Sequence, residues 1–283
     1  MQNKSRVTDE TGGMTQKTFL LGLGAQKAGT TWLHRYISGF ANVDTGLFKE
    51  YQIWNAVHFK TDARFKVPLW QVAHPKARLR WRLQHSEKAY FDYFEGLLRQ
   101  PGISMTADIT PNYAPLSAAV LKKIRQGFEA RGIKVKVVFL MRDPVQRCWS
   151  ALRMIRKNGR KGVGVDLEAP EADALRRYAA SSWAQSNARY DLTVARIDEV
   201  FAAEDVFYGF YESLFTAESV GELSRFLELP PDTSFSEKKF NVSEKAADMP
   251  EDLMKAIADQ YSSVYAWCNA RFPETQSLWR DFP

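Results

Sequence analysis

Hydrophobic positions along the chain fall into short continuous runs that alternate with amphipathic stretches. The continuous runs are typical of buried strands in a parallel sheet, and they span 18–24, 43–48, 103–110, 134–141 and 205–210. The amphipathic stretches predict helices, which span 30–40, 116–132, 144–159, 217–229 and 250–272. Strands that alternate with helices predict an α/β fold of three layers, α/β/α, with a mostly parallel central sheet.

The same pattern divides the chain into a tail and one domain. Residues 1–17 are polar and predict a flexible tail, whereas 18–283 predict a single α/β domain. The stretch around 51–100 lacks a strand pattern and predicts a helical insertion in that domain. A length of 283 residues suits this reading, because one large α/β domain needs about that much chain.

Charge and cysteine content narrow the class of protein. The formal net charge is +6, which favours anionic partners without naming one. The two cysteines, Cys148 and Cys268, provide neither a disulfide framework nor a metal-ligand cluster, so we expect a reducing compartment and no metal site. The sequence has no signal-peptide pattern and no apolar run of membrane-spanning length. These features predict a cytoplasmic protein.

The first chemical signal is the turn "GAQKAGTT" at 24–31, between a predicted strand and a predicted helix. It resembles G-x-x-x-x-G-K-[ST], but Thr30 stands where that pattern has lysine, and Lys27 lies inside the loop instead. Gly24 and Gly29 could form only a tight turn, with Thr30 as the N-cap of the helix. A helix N-terminus beside a lysine and two threonines also suits an anion, and we favour that interpretation.

The second signal is "FLMRDPVQRCWSALR" at 139–153, again a strand, a turn and a helix. Arg142 falls at the carboxyl end of the strand, where ligands bind in open α/β sheets. Ser150 follows about two helical turns later. Asp143 alone would be read as a helix N-cap with Arg142 as its ion-pair partner. Together with the first loop, the motif predicts a second phosphate site.

The two motifs resemble those of sulfotransferases. "QKAGTTWL" is similar to the 5′-phosphosulfate loop of that family, and "FLMRDPVQRCWSAL" is similar to its 3′-phosphate motif, in the same order. The resemblance extends from Phe19 to about Lys245. It implies a P-loop-like α/β fold, 3′-phosphoadenosine 5′-phosphosulfate (PAPS) as donor, 3′-phosphoadenosine 5′-phosphate (PAP) as product, and no metal.

The resemblance also implies roles for particular residues. Lys27 would contact the 5′-phosphate and the oxygen that bridges to sulfur. The donor site would further comprise the loop, an adenine-facing tryptophan, the 3′-phosphate ligands and a tyrosine near the adenine, namely Ala28, Gly29, Thr30, Thr31, Trp32, Arg142, Ser150 and Tyr211. A basic loop would close on the 3′-phosphate through a lysine that the sequence does not single out among Lys238, Lys239 and Lys245.

The expected general base is Glu50, in the "KE" pair that glycan-type and many bacterial sulfotransferases carry after the second strand. The histidine that cytosolic members carry after the third strand is absent from "DITPNY" at 108–113. Glu50 could equally be an exposed carboxylate at a helix start. Glycan-type members often have a lysine where this chain has Ile109, and that departure weakens a sulfated-glycan acceptor. Asp108 would either face the cleft or cap the turn at Thr110.

Other functions remain open at this point. A P-loop kinase would need the lysine that Thr30 replaces, and a basic nucleic-acid-binding protein would need a binding motif, which we do not find. The basic stretch 60–88 has eight Lys or Arg against two acids. It fits either the solvated faces of helices or a surface for an acidic acceptor. The acceptor itself, a hydroxyl or an amine on a small molecule, carbohydrate or lipid-like compound, is not identified.

Overall fold

A four-stranded parallel sheet forms the centre of the protein. The computed structural model describes residues 16–159, 165–166, 168–238 and 249–279. Its strands are β1 (Thr18–Gly24), β2 (Met105–Ile109), β3 (Lys134–Met141) and β4 (Val206–Phe210), in the order β2-β1-β3-β4. All pairings are parallel, so the predicted α/β class with a parallel sheet is confirmed.

Helices cover both faces of this sheet. All seven residues of β1 are buried, as a central strand requires when both faces are covered. The helices are α1 (Thr30–Ile37), α2 (Trp54–His58), α3 (Pro75–His85), α4 (Glu87–Leu98), α5 (Ala118–Glu129), α6 (Pro144–Lys157), α7 (Glu171–Ala179), α8 (Ser182–Ser186), α9 (Tyr190–Val200), α10 (Ala217–Leu227), α11 (Glu251–Gln260), α12 (Ser262–Arg271) and α13 (Thr275–Leu278). In the described part of the chain, none of them is long and apolar enough to cross a membrane.

An aromatic cluster joins the sheet to α4 and α5. Phe19 of β1 stacks on Phe128 of α5 with ring centroids 3.8 Å apart, and Phe94 of α4 meets Phe19 edge-on at 5.0 Å. Phe91 packs edge-on against Phe128 at 5.0 Å. Because large rings bury much apolar area and prefer such offset and edge-on arrangements, this cluster fixes the two helices on the sheet.

Two predicted elements are wrong. Residues 43–48 form no strand, and only Val43 makes an isolated parallel bridge, to Met105. A turn follows at once, because the Gly46 N–H donates to the Asp44 carboxylate at 2.9 Å. The predicted helix over 250–272 is divided into α11 and α12 by Tyr261. Its backbone leaves the helical region, and its buried hydroxyl donates to the carbonyl of Ala179 at 2.7 Å.

The stretch around 51–100 is largely helical. It consists of α2, α3 and α4, with two 3-10 segments, Lys60–Phe65 and Leu69–Gln71, between α2 and α3. Gln84 of α3 ties these turns down, because its side chain accepts from the Val67 N–H and donates to the carbonyl of Phe65, both at 2.9 Å. The insertion is therefore an ordered part of the fold.

The packing of α5 on α4 generates a stability prediction. A methyl group added at Gly127 would lie 2.1 Å from the Phe91 ring, far inside van der Waals contact. We expect Gly127→Ala to lower the free energy of unfolding by about 1–3 kcal/mol through overpacking, measured by urea denaturation.

Gly221 in α10 is the matched control, because an added methyl group meets nothing within 4 Å there. We expect Gly221→Ala to stabilise the protein by about 0.5–1 kcal/mol through helix propensity. Equal effects of the two substitutions would show that α5 can move away from Phe91 without loss.

Candidate active site

The candidate site lies where the parallel strands end. The segments that follow β1, β3 and β4 carry Lys27, Arg142 and Tyr211 to the same edge of the sheet, the usual position of ligands in open α/β sheets. Arg142 joins the three segments. Its Nη1 donates to the carbonyl of Lys27 at 3.2 Å, and its guanidinium lies 4.1 Å from the centroid of the Tyr211 ring.

The loop after β1 opens directly onto the N-terminus of α1. Gly29 has φ 98, a conformation that favours glycine, and a methyl group there would lie 2.5 Å from Cδ2 of Leu214, so that side chain would have to shift. Gly29, not Thr30, is the N-cap residue, and no side chain caps the helix. The predicted Thr30 cap is therefore wrong. The first amides of α1 have no side-chain acceptor, as an anion site at a helix N-terminus needs.

Lys27 lies inside this loop in an unfavourable electrostatic setting. Its backbone is in the left-handed region at φ 71, which few lysines adopt. Burial, followed by the positive charges of Arg142, Lys49 and Arg153, lowers the pKa of Lys27 to about 8, whereas Glu50 acts in the opposite direction. The two motifs and the Lys49–Glu50 pair therefore share one electrostatic environment.

Arg153 is a site residue that the motifs did not identify. Its guanidinium lies 4.6 Å from the Trp149 ring centroid, and burial and the neighbouring Arg142 lower its pKa. The Nε and Nη1 atoms of Arg153 and the Nε of Arg142 are buried without a hydrogen-bond partner among the described residues. Ser150 is buried one helical turn before Arg153 on α6. That i, i+3 spacing is the sequence signal that could have found it.

Asp143 positions the start of α6. Its carboxylate accepts from the Gln146 N–H at 2.8 Å, so the predicted N-cap is confirmed. Its other oxygen accepts from the Tyr265 hydroxyl at 2.7 Å, and no ion pair joins Asp143 to Arg142 in the described part of the chain. Burial raises the pKa of Asp143 to about 6. Asp143 therefore does not occupy the guanidinium of Arg142, whose N–H groups remain able to bind a ligand.

Glu50 lies in the segment after α1, where three side chains contact it. Lys49 Nζ lies 3.0 Å from Oε1, and Gln52 Nε2 donates to Oε2 at 2.9 Å. Arg80 of α3 donates to the backbone carbonyl of Glu50 at 3.1 Å. Gln52 is itself buried, with φ 57 in the left-handed region. A carboxylate oriented in this way on a partly exposed position is able to accept a proton from a substrate.

Asp108 neither faces a cleft nor caps the backbone of the turn at Thr110. Its fully buried carboxylate accepts from the hydroxyls of Thr110, Tyr113 and Tyr90 at 2.7, 2.9 and 3.0 Å. Burial raises its pKa to about 6, and these hydrogen bonds act against that rise. The Thr110 oxygen in turn accepts from the Tyr51 N–H at 3.0 Å. Asp108 therefore supports the backbone directly after Glu50.

His34 of α1 lies close to the same pair. Burial lowers its pKa first and Lys49 lowers it further, whereas Glu50 raises it. Its Nε2 is buried without a hydrogen-bond partner in the described part of the structure. The histidine expected in cytosolic sulfotransferases is absent, but this ring nitrogen is a second group near Glu50 that can take a proton.

The expected adenine-side residues occupy an aromatic cluster. Trp32 is buried, stacks on Tyr36 at 5.1 Å and donates its indole N–H to the carbonyl of Phe235 at 3.3 Å. Lys238 is exposed, with its ammonium 4.8 Å from the Phe235 ring centroid. Ala28 is fully buried and Thr31 half-buried. The lysines at 239 and 245 lie outside the described residues.

Comparisons with known proteins support the fold. No protein-family model and no curated protein match the chain. Among solved structures, a sulfotransferase from Alicyclobacillus acidocaldarius is 21% identical with a TM-score of 0.64, and the match covers 94% of this chain and 100% of that one. Mouse sulfotransferase SULT7A1 complexed with PAP is a looser match, with 13% identity, a TM-score of 0.44 and coverage of 94% and 88%.

The fold and the strand-end site thus place the chain in a structural class. The chain shares its fold with that bacterial sulfotransferase, and its own parallel sheet carries a lysine-bearing loop after β1 and an arginine after β3. The resemblance expected from two short motifs is confirmed at the level of the fold.

The Thr110 hydroxyl generates a prediction about the Glu50 segment. Thr110→Val keeps the shape of the side chain but removes the acceptor of the Tyr51 and Gln52 amides, at 3.0 and 3.4 Å. We expect amide hydrogen exchange at these two residues to accelerate about tenfold, the effect of losing one hydrogen bond, measured by NMR or mass spectrometry.

Thr106 of β2, the strand that ends just before Thr110, is the matched control. Its hydroxyl is buried without a partner among the described residues, so Thr106→Val should leave both exchange rates unchanged and should not lower stability. Unchanged exchange in Thr110→Val would show that this hydroxyl does not hold the segment.

Proposed function

We propose that the protein transfers a sulfuryl group from PAPS to a hydroxyl or amine acceptor. One observation carries the proposal: Lys27, Arg142 and Arg153 are held together at the strand ends although their charges repel. Buried guanidinium N–H groups there have no partner among the described residues. Because a buried donor without an acceptor is costly, such a cluster is suited to a polyanionic ligand.

PAPS would fit this cluster of cations because it carries phosphate groups at two positions, 5′ and 3′. Lys27 and the amides after Gly29 would hold the 5′-phosphate, with Thr30 and Thr31 in the first turn of α1. Arg142, Ser150 and Arg153 would hold the 3′-phosphate, since a planar guanidinium fork matches phosphate oxygens. Arg153 is thus our addition to the ligands that the motifs suggest. Trp32 and Tyr211 would flank the adenine, and Tyr211 would do so through the face not used by Arg142.

The chemistry assigned to the chain's own residues is electrostatic stabilisation and proton transfer. When bound, PAPS supplies a sulfuryl group that passes to the acceptor as the bond from sulfur to the bridging phosphate oxygen breaks. The Lys27 ammonium stabilises the negative charge that develops on that oxygen. A pKa of about 8 leaves this ammonium largely protonated at neutral pH. A sulfuryl group carries less charge than a γ-phosphoryl group, so we propose that no metal is required.

Glu50 is the proposed general base. Its carboxylate shares the electrostatic environment of Lys27 and is oriented by Lys49 and Gln52. It would take the proton of the acceptor hydroxyl as the new bond to sulfur forms, a step that typically contributes about 10²–10⁴-fold in rate. The Asp108–Thr110 hydrogen bond would position Glu50 through the backbone.

The P-loop kinase is the second candidate function, and the structure gives it less support. A kinase loop uses a lysine at the position of Thr30, which here is a buried first residue of α1. A nucleic-acid-binding function ranks last, because the cluster of buried donors suits a compact ligand rather than a backbone on the surface. A cytoplasmic location remains a prediction of the sequence.

Ligand selectivity tests the donor site. We expect calorimetric titration with PAP in EDTA to show binding that does not need metal, and ATP with magnesium to bind more weakly. Lys27→Ala should weaken PAP at least about tenfold, because it removes a buried charged donor. A preference for ATP with magnesium would overturn the sulfotransferase proposal in favour of a kinase.

The same titration separates the two phosphate positions when adenosine 5′-phosphate serves as the ligand without a 3′-phosphate. Arg142→Ala and Arg153→Met should reduce the preference for PAP over this nucleotide by about 10- to 100-fold. Lys27→Ala should weaken both ligands alike. An unchanged preference in Arg153→Met would remove that residue from the 3′-phosphate site and leave the others in place.

Glu50→Gln tests the base. We expect PAP affinity within about twofold of the wild type and a rate of transfer from radiolabelled PAPS to a panel of alcohols, phenols, amines and sugars lowered about 10²–10⁴-fold. Glutamine keeps the shape of the side chain and can still accept a hydrogen bond from either Lys49 or Gln52. A fall in rate with PAP affinity retained therefore reports the lost proton acceptor. His34→Asn is the comparison variant. Full activity in Glu50→Gln with loss in His34→Asn would transfer the role to His34.

A further inference from the structure

The net positive charge of the protein is concentrated in one segment. Residues 60–86 contain seven Lys or Arg and a single acid, Asp62, so the formal excess of +6 for the whole chain resides in this stretch. Asp62 is buried, where it accepts hydrogen bonds from Asn55 and Asn112 at 2.6 and 3.1 Å. The solvent-facing side of the segment therefore presents cations with no exposed carboxylate of its own.

Most of these cations are free to act on an external partner. Arg64 lies 3.7 Å from the Asp62 carboxylate, and Arg80 reaches the Glu50 carbonyl. The other five are exposed and have no ion pair within the described part of the chain: Lys60, Lys66, Lys76, Arg78 and Arg82. Surface charges that serve only solubility are normally interspersed with the opposite sign.

Two large apolar side chains project from the middle of the same segment. Leu69 is 73% exposed and Trp70 is 79% exposed, on the short turn Leu69–Gln71 that packs on α3. No aromatic or cation contact of Trp70 is found among the described residues. The backbone beneath them is fixed, since Val67 and α3 are joined through Gln84. A tryptophan and a leucine held in water on an ordered turn are unusual for a surface without a partner.

We propose that the basic–apolar surface, residues 60–86, binds the surface of a bilayer that contains anionic phospholipids. Leu69 and Trp70 would enter the region between headgroups and acyl chains, where tryptophan is favoured because it has an apolar body and a polar N–H. The five unpaired cations would remain among the headgroup phosphates and carboxylates. None of the residues 60–86 belongs to the proposed donor site, so this surface would add a second function to the insertion.

Charge and shape favour a lipid surface over the other polyanionic or apolar partners. A second copy of the chain would bring the same excess of positive charge against itself, and the repulsion would oppose association. A nucleic acid would satisfy the cations and could stack on Trp70, but it offers no apolar layer for Leu69. An anionic bilayer satisfies the cations and both apolar side chains at once.

Vesicle flotation tests the proposal directly. We expect the full chain to float with vesicles of phosphatidylcholine mixed with phosphatidylserine, weakly or not at all with phosphatidylcholine alone, and less as salt is raised. The double variant Leu69→Ser, Trp70→Ser should lose at least about tenfold in partitioning through the loss of apolar burial. Neutralising Lys66, Lys76 and Arg78 to Gln should lower partitioning by roughly fivefold per charge.

Leu192→Ser is the matched control, because Leu192 is 40% exposed on α9, outside the basic–apolar surface. It should partition like the wild type. Equal flotation of the Leu69→Ser, Trp70→Ser variant and the wild type would overturn the proposal. So would tighter binding to single-stranded RNA than to anionic vesicles, or concentration-dependent dimerisation that this variant abolishes. PAP titration of the variant should be unchanged, which separates this result from a failure of the donor site.

Discussion

The pairing of β1 with both β2 and β3 is the constraint on which the candidate site depends. Because all three strands run parallel, their carboxyl ends meet at one edge, and the chain must leave that edge three times. Those exits carry Lys27, Thr110 and Arg142, which are far apart in sequence. An antiparallel partner in the middle of the sheet would have sent one of these exits to the opposite edge. The burial of every residue of β1 is thus the foundation of the site as well as of the core.

The candidate site brings positively charged side chains together although they repel one another. Burial and neighbouring positive charges lower the pKa values of Lys27 and Arg153, and Lys27 and Gln52 also occupy the left-handed backbone region. The surrounding structure enforces these unfavourable conformations and close charges. Gly29 lies against the Leu214 side chain, and the backbone N–H after Glu50 donates to the Thr110 hydroxyl. A preorganised site of this kind has its donors in place before a ligand arrives, which is the condition for strong electrostatic stabilisation of a transition state.

Much of the fold could be predicted from the sequence, because apolar runs report burial directly. The boundaries of β1 and β3 agree with the predictions to the residue. The failures have two causes: a local turn at Asp44 and Gly46 ends the extended chain at 43–48, and elsewhere tertiary contacts overrode the local pattern. Tyr261 interrupts a helix because its hydroxyl bonds to another element. The environment of His34 beside Lys49 and Glu50, and the contact of Tyr90 with Asp108, went unassigned because each depends on residues distant in sequence.

The segment between α1 and β2 contributes to both proposed functions, proton transfer and membrane binding. Its first part orients Glu50 through Gln52 and Thr110, and its second part concentrates the positive charge of the chain on a surface with two exposed apolar side chains. Arg80 of α3 connects them physically, since the helix that bears Arg78 and Arg82 also contacts the Glu50 carbonyl. A partner on the basic–apolar surface would therefore dock on a helix that is hydrogen-bonded to the backbone of the proposed base. The sequence shows the positive charge of this segment but not this contact. Nothing in the sequence distinguishes Arg80 from Arg78 and Arg82, and only the fold places Arg80 beside Glu50.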